Sequence, residues 1–145
     1  MRIYLDNCCF NRPFDNQSSI RVKLETDAKL YIQALIRANK IELSWSYILD
    51  FENLANPFEE RKYTIEKWRN LSTTDVSEND AILQKATTFV QQGVKAKDAL
   101  HFACAIESKC QYLLTTDDLF RKKAYGNKLI NVLNPIEFIP IIEEL

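Results

Sequence analysis

Four carboxylates, each at or near the start of a helix or the end of a strand, carry the chemistry available to this sequence. Asp6 closes the apolar run "IYL" at 3–5, Glu52 lies in "SYILDFEN" at 46–53, Asp98 in "KDALHFACA" at 97–105, and Asp117 in "LLTTDDLF" at 113–120. Two carboxylates about 4 Å apart repel by about 4 kcal/mol at an effective dielectric near 20. A cluster of four therefore takes up protons or recruits a cation. Oxygen-only donors suit Mg²⁺ or Mn²⁺, which keep several waters and bind phosphate oxygens. Such an ion makes water a usable nucleophile near neutral pH and stabilises the attacking and leaving oxygens of an in-line displacement. The chemistry to expect is phosphodiester hydrolysis.

Each acid also has an ordinary structural reading. Asp6 and Asp117 suit turn or N-cap positions at strand-to-helix junctions. Asp98 in the first turn of a helix favours its own dipole by roughly 0.3–1 kcal/mol. Glu52 is compatible with a solvated helix face, and Asp50, on another face, fits that description better. What separates the two readings is whether the elements converge.

The elements can be placed from periodicity and punctuation. "IYL" reads as a first buried strand, followed by a polar loop "NRPFDNQSS" at 11–19 that supplies Asn11, Arg12 and Asp15. Apolar residues recur at helical spacing over 22–38, "KIELSW" at 40–45 is a second strand, and a helix over 47–56 starts after Ser46 and stops before Pro57. A helix over 58–70, a short third strand within 72–77, a helix over 78–92 ending at Gly93 and a small-residue helix over 95–108 follow. Strands at 111–114 and 129–133 flank a helix over 118–124. Strands alternating with helices predict an α/β fold with a mostly parallel sheet. Parallel strands put their carboxyl ends on one edge, so adjacent first and fourth strands would bring Asp6 and Asp117 together, with Glu52 and Asp98 entering from helix starts.

The totals limit the alternatives. At 145 residues, 46% hydrophobic and 27% charged, the chain fits one domain over 1–145 that needs no disulfide or metal to fold. No stretch approaches a membrane span of about 20 residues and the opening "MRIYLDN" does not read as a secretory leader, which predicts a cytoplasmic protein with no membrane partner. Cys8, Cys9, Cys104 and Cys110 form no C-x-x-C pair, and with His101 alone they lack zinc-site spacing, so free buried thiols are expected. A formal charge of -1 gives no global attraction to nucleic acid, so a polyanion would have to meet a local basic patch. A haloacid-dehalogenase-like phosphatase needs a second Asp where Cys8 stands, and two glycines cannot make a dinucleotide-binding turn.

In their order and spacing, "IYLDN", "SYILDFEN", "KDALHFACA", "LLTTDDLF" and the closing "INVLNPIEFI" at 130–139 resemble the PIN-domain family of metal-dependent ribonucleases, many of which are toxins of toxin-antitoxin pairs. The resemblance spans nearly the whole chain. It implies a three-layer α/β/α domain with a central, mostly parallel sheet of four to five strands. It also implies that Asp6, Glu52, Asp98 and Asp117 hold Mg²⁺ or Mn²⁺ and are catalytic, with Asp118 assisting as a further ligand. Asn7, Thr115 and Arg12 are the candidates for orienting the acids or contacting RNA. His101, three residues past Asp98 on the same helix face, reads as a satisfied semi-buried histidine rather than a general base. One departure stands out: Cys8 replaces the polar residue usual two positions after the first acid, which predicts a missing hydrogen bond to the acids.

The resemblance implies an endoribonuclease acting on RNA, a toxin with an antitoxin protein as partner, and a homodimer. The alternative is a non-catalytic PIN-like module that binds RNA or protein. The stripe Phe58, Tyr63, Ile65 and Trp68 is expected to be core, with a dimer or antitoxin groove as the other possibility.

Overall fold

A computed structural model of the chain describes residues 1–144. The order of elements is β1 (Arg2–Leu5), α1 (Asn7–Asn11), a 3₁₀ turn (Arg12–Phe14), α2 (Ile20–Arg37), β2 (Glu42–Ser46), α3 (Tyr47–Leu54), α4 (Glu59–Arg69), β3 (Thr74–Val76), α5 (Asp80–Gln91), α6 (Ala96–Glu107), β4 (Tyr112–Leu114), α7 (Asp118–Ala124), β5 (Asn131–Leu133) and α8 (Pro135–Glu143).

The five strands form one sheet in the order β3-β2-β1-β4-β5, and every pairing is parallel. Ile3, Tyr4, Leu5, Leu113 and Leu114 are fully buried, as expected where helices cover both faces of a parallel sheet. The two faces take different residues. Trp45 packs edge-on against Phe10 of α1, whereas Tyr4 meets His101 of α6. Ala99, Ala103, Cys104 and Ala105 are buried in α6, and small side chains there let the helix lie close to the sheet. Helix α5 lies along α6, its Phe89 stacked on Phe102, and α2 packs with α8. Gly93, at φ +96°, takes the left-handed turn after α5 that a side chain would strain.

Two expectations are corrected by the structure, and one segment given no element from sequence gains one. The polar segment after β1 is not an open loop: Asp6 caps α1 and Pro13 opens a 3₁₀ turn, because short capped turns satisfy backbone groups that a polar loop would leave to water. The tail after β5 forms α8, started by a capping box between Asn134 and Glu137 with Pro135 at its first position. The aromatic stripe divides: Ile65 and Trp68, three apart on one face of α4, are buried, while Tyr63 lies off that face and Phe58 precedes the helix as its N-cap, both exposed.

Candidate functional site

Strand register positions the first acid. Leu5 pairs with Leu114, and the Asp6 amide donates to the Leu114 carbonyl at 2.9 Å, so the residues following β1 and β4 emerge side by side. Thr115 Oγ1 donates to Asp6 Oδ2 at 2.8 Å and accepts the Asp117 amide at 3.1 Å. The other oxygen of Asp6 accepts the Asn7 amide at 2.8 Å, which makes Asp6 the N-cap of α1. Asp6 thus caps a helix with one oxygen and meets Thr115 with the other.

A second chain of contacts positions Glu52. Ser46 Oγ accepts the Leu49 amide at 3.3 Å and starts α3, on which Glu52 stands nearly two turns later. The same hydroxyl bonds the Tyr4 hydroxyl at 2.6 Å, and Tyr4 bonds His101 Nδ1 at 2.6 Å. His101 Nε2 bonds Glu52 Oε1 and stands 3.5 Å from Asp6 Oδ1. A carboxylate only accepts, so in the neutral ring the proton sits on Nε2 and Nδ1 accepts from Tyr4. Ligand atoms of Asp6, Glu52 and His101 all lie within 4.8 Å of one another. Burial would lower the pKa of His101, but Asp6 and the Glu52 contact outweigh it and the net shift is upward.

Asp98 enters from the first turn of α6, which β4 and β2 flank. Its carboxyl is pushed up to about 6, first by burial and then by the charges of Asp6 and Asp117, with His101 opposing and Glu52 adding. Asp98 and Asp117 thus lie within electrostatic range of one another and of the other acids, outside the group of ligand atoms from Asp6, Glu52 and His101. Asp117 caps α7, its Oδ1 accepting the amides of Leu119 at 3.0 Å and Phe120 at 3.1 Å.

No family model and no curated protein matches the sequence. Solved structures do match. A chain of VapBC2 from Rickettsia felis, in a complex bound to a DNA fragment from their promoter, aligns with a TM-score of 0.56 at 15% identity over 92% of this chain and 98% of that one. A chain of VapBC-1 from nontypeable Haemophilus influenzae aligns with a TM-score of 0.60 at 15% identity over 93% of this chain and 98% of that one. The fold is that of a PIN domain.

Within the PIN fold, Asp6 and Asp117 cap the helices that follow β1 and β4, Asp98 lies in the first turn of α6, and Glu52 stands in the second turn of α3. Asp118 and Arg12 are engaged elsewhere. Both oxygens of Asp118 bond Arg21 at 2.7 Å, Arg121 adds a contact at 3.1 Å, and the arginines hold its carboxyl below the usual range. Arg12 pairs with Asp15 at 3.1 Å and with the fully buried Glu25 at 3.2 Å. Asn7 lies beside Asp6 on the wall of a neighbouring cleft.

Cys8 is a correction to the missing hydrogen bond expected from sequence. Its Sγ lies 3.5 Å from Asp6 Oδ2 and accepts the Thr116 amide at 3.4 Å, so the thiol occupies the hydrogen-bonding position of a hydroxyl with the longer reach of sulfur. The role of His101 as the link from Tyr4 to Glu52 was also not evident from sequence. Its only signal was its spacing from Asp98. The contribution of Tyr4, an apolar-looking strand residue, had no signal at all. Among the described residues, no helix is long and apolar enough to cross a membrane.

Proposed function

We propose that this protein is a Mg²⁺- or Mn²⁺-dependent endoribonuclease that hydrolyses RNA phosphodiester bonds, acting as the toxin of a toxin-antitoxin pair. The observation that carries the reading is the gathering of ligand atoms of Asp6, Glu52 and His101 within 4.8 Å of one another, with the charges of Asp6, Asp117 and Glu52 adding to burial in raising the nearby Asp98 to about 6. The carboxylate oxygens of Asp6 and Glu52, beside the half-buried Asp98, suit a hard divalent ion, with a nitrogen of His101 as the third ligand atom of the group. Asp6, Glu52, Asp98 and Asp117 would hold the ion, which supplies an activated water and stabilises charge at phosphorus. Thr115 fixes Asp6, and Ser46, Tyr4 and His101 fix Glu52. Asp118, neutralised by two arginines, is left outside the ligand set.

The partners proposed with this reading are RNA as substrate, an antitoxin protein, as the VapBC assemblies of like fold suggest, and a second copy in a homodimer. One observation favours a second reading, a non-catalytic binding module. His101, with its raised pKa, already places a proton-bearing nitrogen against Glu52 and Asp6 and offsets part of their charge without an ion.

Cleavage of a labelled RNA by the purified protein in Mn²⁺ separates the two. The nuclease reading expects metal-dependent cleavage that Asp98→Asn abolishes. Absence of cleavage by the wild type in either metal, or equal cleavage by the variant, overturns it.

A further inference from the structure

Directly beside Glu52, between α1 and the α3–α4 connection, lies a polar cleft of about 320 Å³. That volume is at the lower end of the roughly 300–1,000 Å³ of small-ligand sites. Its floor is a directional chain of amides. Asn56 Nδ2 donates to Asn11 Oδ1 at 3.2 Å, and Asn11 Nδ2 donates to the Asn7 carbonyl at 3.1 Å and to Asn7 Oδ1 at 3.4 Å. Asn56 Oδ1 is fixed in turn by the Phe58 amide at 3.1 Å. Each asparagine is thereby oriented, and the chain leaves the amide group of Asn7 as a donor beside Asp6.

Phe58 forms one wall. The Arg61 guanidinium stands over its ring at 4.5 Å, and the ring is still 56% exposed. Arg61 is held in place by the Phe14 carbonyl at 2.7 Å and by Asp15 at 3.5 Å. With Lys97 it gives the cleft two cations, while Glu52 is the acid of its lining.

From this juxtaposition we infer that the cleft is a subsite for one unpaired nucleotide of a single-stranded RNA, adjacent to the bond the acids would cut; the inference rests on the proposed nuclease reading of the neighbouring acids. An exposed, cation-backed aromatic ring is a stacking platform for a base. The chain from Asn56 through Asn11 holds the Asn7 amide in place as a donor of the kind that reads a base edge or a 2′-hydroxyl. The two cations meet the flanking phosphates. Bases in a duplex are stacked on one another and cannot use the ring, so the cleft selects for single strands.

The test is fluorescence anisotropy of a labelled 12-nucleotide RNA in EDTA, where no cleavage occurs, with a perfectly paired duplex of the same sequence as the second probe. The wild type is expected to bind the single strand at least about tenfold more tightly than the duplex. Phe58→Ala, an exposed position, lowers single-strand affinity roughly five- to tenfold and duplex affinity little. Asn56→Ala flattens differences among oligo(A), oligo(C) and oligo(U). Equal affinity for single strand and duplex, or unchanged single-strand binding by both variants, overturns the subsite. A wild type that binds single strands through Phe58 but never cleaves them removes the nuclease reading and leaves the subsite. A wild type that cleaves both forms equally, with Phe58→Ala unchanged in binding, does the reverse.

Discussion

Thr115 donates its hydroxyl hydrogen to Asp6 Oδ2 at 2.8 Å, joining the ends of two adjacent strands through one buried hydrogen bond. Thr115 Oγ1 also accepts the Asp117 amide, so a single side chain aligns two of the acids. Thr115→Val keeps the shape and removes both bonds. Loss of an orienting partner of this kind typically costs about 10–100-fold in metal affinity, and Thr115→Ser should restore most of it. Mn²⁺ titration of both variants checks this, and equal affinities for Val and Ser would contradict the positioning role.

Cys8 acts on the same oxygen of Asp6 at 3.5 Å. Cys8→Ser replaces a weak sulfur donor with a stronger, shorter-reaching hydroxyl, and Cys8→Ala removes the donor. The expected order of metal affinity is Ser equal to or above Cys, and Cys above Ala by a few-fold. Alanine matching serine would show that the thiol contact contributes nothing.

The Asp98 carboxylate costs the fold stability. Its carboxylate is opposed by burial and by Asp6 and Asp117, so Asp98→Asn removes a repulsion while keeping the shape. The carboxyl is only half-buried, and solvent screening reduces the gain to about 1 kcal/mol at neutral pH. The variant should melt a few degrees higher than the wild type without metal and show no upward shift with Mn²⁺. A lower melting temperature in the absence of metal would count against a crowded acidic site.

Lys29 gives a pH dependence that lies away from the acids. It is 3% exposed, with its ammonium 5.5 Å from the Phe10 ring and 5.8 Å from the Trp68 ring. Burial lowers its pKa to about 7; Arg37 adds to the effect and Cys9 opposes it. The unfolded chain keeps the ordinary, higher value, so between about pH 7 and 10 the unfolded state binds more protons and this group makes stability rise with pH. Below about 7 its cost is complete, with a ceiling of about 5 kcal/mol. Lys29→Met should therefore stabilise the fold most at pH 6 and progressively less towards pH 10, read by urea denaturation at both ends. A gain independent of pH would indicate packing alone.

Much of this architecture was legible because parallel strands and amphipathic helices write their periods directly into sequence. "IYL" and "YLL" became β1 and β4, and Ser46, Pro57 and Gly93 marked helix limits. The edge on which Asp6 and Asp117 meet followed from that order. Signals too local for hydrophobic periodicity were missed: the five-residue α1 depends on a cap, and α8 on Asn134, Pro135 and Glu137. Long-range polar links were the least legible, since the path from Ser46 through Tyr4 and His101 to Glu52 joins residues far apart in the chain. Nor does sequence show that Arg21 and Arg121 neutralise Asp118.

The central claim is that acids from four elements form one cation site. Calorimetric titration of Mn²⁺ into the wild-type protein and into Asp6→Asn at pH 7.5 tests it most directly. Saturable binding by the wild type, weakened at least roughly tenfold in the variant, is the predicted result. No binding to the wild type at millimolar Mn²⁺, or equal binding by both proteins, would contradict it.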